Sequence, residues 1–347
     1  MLHRFAARQQ RAPLHGVHYT TQHPRAGGRA PVGVGEGHAV RLIVLGTPQP
    51  AALVLERIVR DGRHTVVGVI TQPDRPAGRG GQPQPPPVRR TADALGLGAL
   101  VVQPATLRDP AMHAWIAATR ADVGVVAAYG EILRRDVLAL LPHGYLNIHP
   151  SLLPRYRGPA PVSAAILAGD AATGVSLMRL TRRMDAGPIV AQTTVVLPGD
   201  ARAGSLTDAL FMLGADLLLA TLETLAHGTL SERAQDEAAA TYTRLLTRDD
   251  GRISWAAPAQ HLERMIRAYD PWPGAWCLWR GAPLRILDAA VDPAPTDARP
   301  GCVLPDMRIA TAAGRLAVRV VQPAGRRAMP AADWWRGQRA HADECLQ

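Results

Sequence analysis

The stretch "RLIVLGTPQPAALVLERIVRDGRHTVVGVITQP", Arg41 to Pro73, decides how the chain folds. "RLIVLGT" is an unbroken apolar run ended by a glycine, the pattern of a strand buried on both faces. "AALVLERIVRDG" places its apolar residues at helical spacing and stops at Gly62. "HTVVGVITQP" is a second buried run. Further along, "VRRTADALG" predicts a helix, "GALVVQP" a strand, "PAMHAWIAATR" a helix, and "ADVGVVAAYG" and "GYLNIHP" two more strands. Short apolar strands alternating with helices build an α/β fold with a doubly wound, mostly parallel, Rossmann-like sheet. Ligands of such sheets sit beyond the carboxyl ends of the strands, which here are "AAYG" and "NIHPS".

The loop after the first of these strands, "GTPQPA", lacks G-x-G-x-x-G spacing, and no G-x-x-x-x-G-K-[ST] occurs in the chain. With prolines at 48 and 50, no glycine-rich cradle for a pyrophosphate forms, so neither a dinucleotide nor ATP is expected. Upstream of Arg41 the texture differs. Residues 1–40 are rich in Arg, His, Gly and Pro, contain Glu36 as their only acid, and hold no lasting apolar period. They read as a disordered tail or as a start assigned too far upstream, rather than as a mitochondrial transit peptide.

The 347 residues suffice for two domains with cores of their own. Hydrophobic residues make up 47% and charged residues 20%, and no apolar run is expected to cross a bilayer. Cys277, Cys302 and Cys345 lie far apart, a spacing that predicts neither a zinc site nor a disulfide framework and suits a reducing cytosol. Lysine is absent, so all 39 basic residues are arginine, and a net charge of +10 points to a polyanionic partner.

"SLTDALFMLGADLLLATLETLAHG" predicts a long amphipathic helix with a serine cap and a glycine stop. The polar, alanine-rich stretch after it reads as a linker. Beyond it, "GRISW", "GAWCLWR", "PLRILDAAV" and "MRIATAAGRLAVRVVQP" predict short strands, and "PAQHLERMIRAY" a helix, as in a small antiparallel β-barrel of the OB-like kind. The expected layout is an extension (1–40), a catalytic domain (41–229), a linker (230–245) and a C-terminal domain (246–347). Tryptophans interleave with arginines in the last of these, as on single-strand and RNA-binding surfaces, but most of them are expected in the core.

The chain contains one asparagine, Asn147, two residues before His149. In a strand such residues face the same side, with α-carbons about 6.6 Å apart. An amide and a protonated imidazole converging on one point would suit an oxyanion growing on a carbonyl carbon. No G-x-S-x-G elbow and no neighbouring cysteine supplies a nucleophile. Such a site would hold a reaction between two bound substrates; the alternative at this point is an asparagine that caps the loop and a histidine bonded to backbone.

"TQPDRPAGRG" (71–80), "AAYGEIL" (127–133), "LNIHPSLLPRYRGPAPV" (146–162), "TGVSLMRLTRRMDAGPIV" (173–190) and "YDPWPGAW" (269–276) occur in that order. Together they resemble the folate-dependent formyltransferases from about Arg41 to near the C-terminus. "QPDRPAGRG" and "PWPGAW" point within them to the methionyl-tRNA formyltransferase family. The resemblance implies Asn147, His149 and Asp185 as catalytic residues, with Asp185 favouring the imidazolium form of His149. It implies Ser151, Leu152, Leu153 and Pro154 as the folate-holding segment, and Ala128, Tyr129 and Gly130 as lining of the pterin pocket. The co-substrate implied is 10-formyltetrahydrofolate, with no metal and no nucleotide, and the acceptor is initiator Met-tRNA.

One departure concerns the loop after "AGRG". The family commonly places lysines there, and this chain reads "GGQPQPPPVRR", leaving Arg79, Arg89 and Arg90 to reach the tRNA. A cytoplasmic monomer with no membrane partner is expected. The rival acceptor is an amino-sugar nucleotide, which would require a nucleotide pocket. A formyltetrahydrofolate hydrolase would carry an N-terminal regulatory domain, and a non-catalytic RNA-binding protein would not need Asn147, His149 and Asp185 intact.

Overall fold

The computed structural model describes residues 20–22, 39–76, 81–339 and 344–347. The first module carries strands β1 (Thr20–Gln22), β2 (Arg41–Gly46), β3 (Thr65–Ile70), β4 (Arg75–Pro76), β5 (Pro83–Gln84), β6 (Val101–Val102), β7 (Val123–Ala127), β8 (Tyr145–His149), β9 (Ala172–Arg179) and β10 (Ile189–Val196). Its helices are α1 (Gln49–Asp61), α2 (Pro87–Ala94), α3 (Pro110–Ala118), α4 (Arg135–Leu138), α5 (Pro161–Ala168) and α6 (Ala203–Ala226). The second module holds α7 (Ala259–Ala268), β11 (Trp276–Trp279), β12 (Ala282–Asp292), β13 (Val303–Leu304), β14 (Arg308–Ala310), β15 (Arg315–Pro323), β16 (Met329–Pro330) and α8 (Ala331–Arg336).

Eight strands form one sheet in the order β1-β10-β9-β8-β7-β2-β3-β6. The five from β8 to β6 are parallel, and β9, β10 and β1 close the far edge antiparallel. Strand order reverses between β2 and β7, so the crevice beyond their carboxyl ends is the place for a ligand. A hydrogen bond from Thr47 Oγ1 to the carbonyl of Tyr129 (2.9 Å) ties the loops after β2 and β7 together there. The predicted strands and helices of this half are present. The added edge strand β1 was not expected, because nothing in residues 1–40 reads as periodic; residues 1–19 and 23–38 lie outside the described residues.

The 24-residue α6 covers one face of the sheet with Phe211, Ala215, Leu218, Leu219 and Leu222. At a mean hydropathy of 1.6 it is long and apolar enough, by length and composition, to cross a bilayer, contrary to the expectation that no such run exists. Here it serves as a core helix, packed on α1, β8 and β9. Its serine is not the cap: the helix begins at Ala203 after Arg202, and the Ser205 hydroxyl bonds back to the Arg202 carbonyl (3.2 Å). The glycine stop is present as Gly228, at φ 66°.

The second module is a six-stranded antiparallel OB-like sheet, β11-β12-β15-β14-β13 with β16 on β15. "GRISW" makes no strand; Arg252 forms only an isolated bridge to Trp276. Trp255, Trp279 and Trp334 are core residues, as expected of most tryptophans there, whereas Trp272 is exposed. Val162, Ile166, Leu206 and Leu210 of the first module share one apolar cluster with Leu262, Met265 and Ile266 of α7, so the modules are packed rather than merely tethered. The cysteine expectation needs correction: Cys302 and Cys345 form a disulfide, and Cys277 is buried and free. Their separation of 43 residues hid a C-terminal tail that returns beside residue 302, where the two cysteines also form a β-bridge.

Gly214 of α6 sets how closely the helix approaches β8. A Cβ added there would lie 2.4 Å from Ile148 Cγ2 and 3.1 Å from Val175 Cγ2. Ile148 stands between Asn147 and His149, so a bulkier residue pushes the strand that carries both. Gly214→Val gains a few tenths of a kcal/mol in helix propensity. Overpacking costs about 1–3 kcal/mol and dominates. The urea midpoint should fall accordingly, and a midpoint at or above the wild-type value would contradict this packing.

Candidate active site

Strand β8 carries Asn147 and His149 on one side of the sheet and Ile148 on the other, under α6. Asn147 lies opposite Val126 of β7 and Met178 of β9, and His149 opposite Ser176. The Asn147 side chain is half-buried, and its carboxamide has no hydrogen-bond partner among the described residues. It therefore caps no loop. Its N–H donors remain available to something that enters the crevice.

His149 is buried. Its Nε2 lies 2.9 Å from the carbonyl oxygen of Tyr156. A carbonyl only accepts, so Nε2 keeps its hydrogen in either charge state. The other ring nitrogen, Nδ1, faces Asp185 Oδ2 at 3.7 Å. That distance exceeds a hydrogen bond, so the carboxylate acts on the ring through its charge. The imidazolium therefore has one free N–H, at Nδ1.

Asp185 sits after β9 at φ 47°, in the left-handed region that aspartate visits more readily than most non-glycine residues. Its Oδ2 accepts from the Gly158 amide (2.7 Å), and its backbone carbonyl accepts from Gln235 Nε2 (2.8 Å). Gly158 is at φ 104°, and a Cβ there would lie 2.6 Å from the Thr243 carbonyl oxygen, so only glycine serves. Two more non-glycine residues flank the site in the left-handed region, Ala128 at φ 47° and Tyr156 at φ 59°. Such backbone strain clusters at functional sites.

The segment Ser151–Pro154 follows β8, with a cis peptide between Leu153 and Pro154. Ser151 is buried, and its hydroxyl donates to the Arg155 carbonyl (2.7 Å), so it shapes the loop rather than facing the crevice. Ser176 Oγ donates to the Ser151 carbonyl (2.6 Å) and accepts from the Leu153 amide (3.0 Å) and Gln192 Nε2 (2.7 Å). Sequence reasoning missed Ser176 and Gln192; both are polar residues in apolar strands, which was the available signal. Of the "AAYG" loop, Ala128 and Gly130 are exposed beyond β7. Tyr129 instead turns its ring into the core beside Leu107 and Leu133, and burial pushes its phenol well above the usual range.

The stretch expected as a linker lies against this site. Arg157 is fully buried. Its guanidinium donates to Gln235 Oε1 (3.1 and 2.9 Å), to both carboxylate oxygens of Glu237 (3.1 and 2.9 Å) and to the Tyr242 hydroxyl (2.9 Å). Hydrogen bonds from Arg157, and then from Arg183, hold the Glu237 carboxyl at about 2. None of these residues was singled out from the sequence, since their partners lie some 80 positions away.

Of the arginines expected to meet RNA, Arg79 lies outside the described residues. Arg89 pairs with Asp93 (2.9 Å) along α2, and Arg90 donates to the Pro85 carbonyl. An exposed pair such as Arg89–Asp93 is worth little, so a phosphate can displace it at small cost.

Residues 40–222 match the family described as formyl transferase, and residues 245–339 match the formyl transferase C-terminal domain. The chain is 57% identical over 312 residues to a methionyl-tRNA formyltransferase of Roseiflexus castenholzii (strain DSM 13941 / HLO8), covering 89% of this chain and 99% of that one. It is 53% identical over 310 residues to a methionyl-tRNA formyltransferase of Chloroflexus aggregans (strain MD-66 / DSM 9485), covering 88% and 99%. Among solved structures, HypX from Aquifex aeolicus in complex with tetrahydrofolic acid superposes with a TM-score of 0.58 at 18% identity, over 86% of this chain and 47% of that one. The sugar 3N-formyl transferase WlaRD gives 0.60 at 15% identity, over 84% and 100%. These two likenesses concern the fold.

The depressed Glu237 carboxyl makes a pH prediction. Its folded value, about 2, lies below the reference of 4.5. A lowered carboxyl stabilises the fold above the reference value, and the contribution is lost as pH falls toward the folded value. Glu237→Gln keeps an acceptor for Arg157 but no charge. The wild type should melt higher than this variant at pH 6, and the gap should close between about pH 4.5 and 2. Melting curves across that range check it; a gap unchanged down to pH 2 would refute it.

Proposed function

This chain belongs to the formyltransferase family, and we propose that it transfers the formyl group of 10-formyltetrahydrofolate to the α-amino group of methionyl initiator tRNA, for translation initiation. The observation that carries the chemistry is the carboxamide of Asn147, without a hydrogen-bond partner among the described residues, on the same side of β8 as His149, with Asp185 beside the ring. Relatives named methionyl-tRNA formyltransferase, covered almost end to end, support Met-tRNA as the acceptor. So does the match of residues 245–339 to the family's C-terminal domain. The amino-sugar alternative rests on structures at 15% identity, which speak to fold alone. We infer a catalytic domain over 41–229, a linker over 230–245 and a C-terminal domain over 246–347, with the protein acting as a cytoplasmic monomer.

In the reaction, the acceptor's amine nitrogen forms a bond to the formyl carbon, and the carbonyl oxygen becomes an oxyanion. The bond from that carbon to the folate nitrogen then breaks, and the folate nitrogen gains a proton as the amine loses one. Asn147 donates an amide N–H to the oxyanion. His149, its Nε2–H held by the Tyr156 carbonyl, offers its second donor from Nδ1. Asp185 attracts the imidazolium charge and stands ready to take the proton that the attacking amine sheds. Ser151–Pro154 is the folate-holding segment, kept in shape by Ser176, and the loop at Ala128, Tyr129 and Gly130 borders the pterin. Arg79, Arg89 and Arg90 are assigned to the tRNA.

Incubation of the enzyme and 10-formyltetrahydrofolate with either Met-tRNA or amino-sugar nucleotides separates the two acceptors. Formyl-methionyl-tRNA as the product is expected, and transfer to the sugar alone would replace this reading. Asn147→Asp tests the mechanism, because it replaces a donor by an anion. Single-turnover formyl transfer should slow by roughly 100- to 1000-fold, as for other lost oxyanion donors. Folate affinity should change far less, since the donor acts on the transition state. A variant within about tenfold of wild type would remove Asn147 from the chemistry.

A further inference from the structure

The carboxamide of Gln235 bridges the buried guanidinium of Arg157 and the backbone of the Asp185 loop. Its Oε1 accepts the Nε and Nη2 hydrogens of buried Arg157 at 3.1 and 2.9 Å. Its Nε2 donates to the carbonyl oxygens of Asp185 and Gly187 at 2.8 and 2.7 Å. All four bonds have a forced sense. Arg157 can only donate and the two carbonyls can only accept, so the amide fits in one orientation. Asp185 stands at φ 47°, in the left-handed region, and the bond from Gln235 fixes its carbonyl there.

We propose that Gln235, contributed by the segment between the two modules, is a positioning residue that holds the Asp185 loop at the angle turnover requires, an inference that rests on Asp185 acting in formyl transfer. Gln235 touches no reacting atom. It fixes the backbone of Asp185 from one side, while the Gly158 amide fixes the carboxylate from the other. Gly158 follows Arg157 directly, so both restraints are referred to the same guanidinium.

A merely structural role would differ in one testable respect. If Gln235 only satisfies Arg157, a carboxylate in its place serves as well or better. Gln235→Glu keeps both acceptor contacts to Arg157 but turns an oxygen toward the Asp185 and Gly187 carbonyls, abolishing both donor bonds. The predicted result is a kcat lowered by about 10- to 100-fold, the range for misplacement of a catalytic group, with KM for both substrates within about twofold. Hydrogen exchange at the Gly158 amide, which requires no activity, should quicken at least tenfold as Asp185 is released. Gln235→Met, which removes all four bonds, should match it in kcat; it also keeps the test available should the glutamate variant not fold. A kcat within about threefold of wild type, or unchanged protection at Gly158, overturns the proposal. Failure of wild-type enzyme to formylate Met-tRNA would strike the acceptor assignment, while the exchange measurement would still decide whether Gln235 holds the loop.

Discussion

The buried guanidinium of Arg157 constrains everything around it. Moving a charge out of water costs several kcal/mol unless it is paired and hydrogen-bonded. The chain meets this demand by folding residues 235–242 back over the first module, where Gln235, Glu237 and Tyr242 surround the charge. Arg157 stands between the two backbone groups that define the site. Tyr156 before it lends the carbonyl that orients His149, and Gly158 after it lends the amide that orients Asp185. One residue's electrostatic need thereby positions both His149 and Asp185.

Periodicity made the first half of the fold legible. The continuous apolar runs of β2, β3, β7 and β8 mark strands buried on both faces, and two-residue spacing put Asn147 and His149 on one side. The unread features depend on contacts distant in sequence. The disulfide depends on a tail returning beside residue 302, and Ser176 acquires its role only once β9 pairs with β8. Arg157 reads locally as an exposed loop arginine, since neither Gln235 nor Glu237 is near it in sequence. Strand β1 could not be read at all, because an edge strand of three residues leaves no pattern. The serine cap failed for a different reason: Ser205 has the right residue type, but the helix starts two residues earlier.

Strain and packing converge on the same crevice from opposite faces of the sheet. Above it, Ala128, Tyr156 and Asp185 occupy left-handed backbone conformations, the last two tied by hydrogen bonds to Thr241, Gly158 and Gln235. Below it, α6 presses on Ile148 through the missing side chain of Gly214. Catalytic groups placed by a strand end that is clamped on both faces lose little orientational freedom when substrates arrive. This suits a reaction in which no side chain becomes the nucleophile and alignment of two substrates supplies much of the acceleration.

The absence of lysine bears on this design as well. A guanidinium carries five donors in a rigid plane, and Arg157 uses Nε, Nη1 and Nη2 toward three different partners. An ammonium, with three donors on one atom, could not span Gln235, Glu237 and Tyr242 at once. The same bias shapes the outer surface, where many arginines are already engaged by carboxylates such as Asp93 or carbonyls such as that of Pro85. These exposed contacts are weak and screened by salt, so they orient the guanidiniums without withholding them from a polyanion. Buried and exposed arginines thus differ in kind: the one inside is fixed by three partners, and those outside hold theirs in weak, solvent-screened contacts.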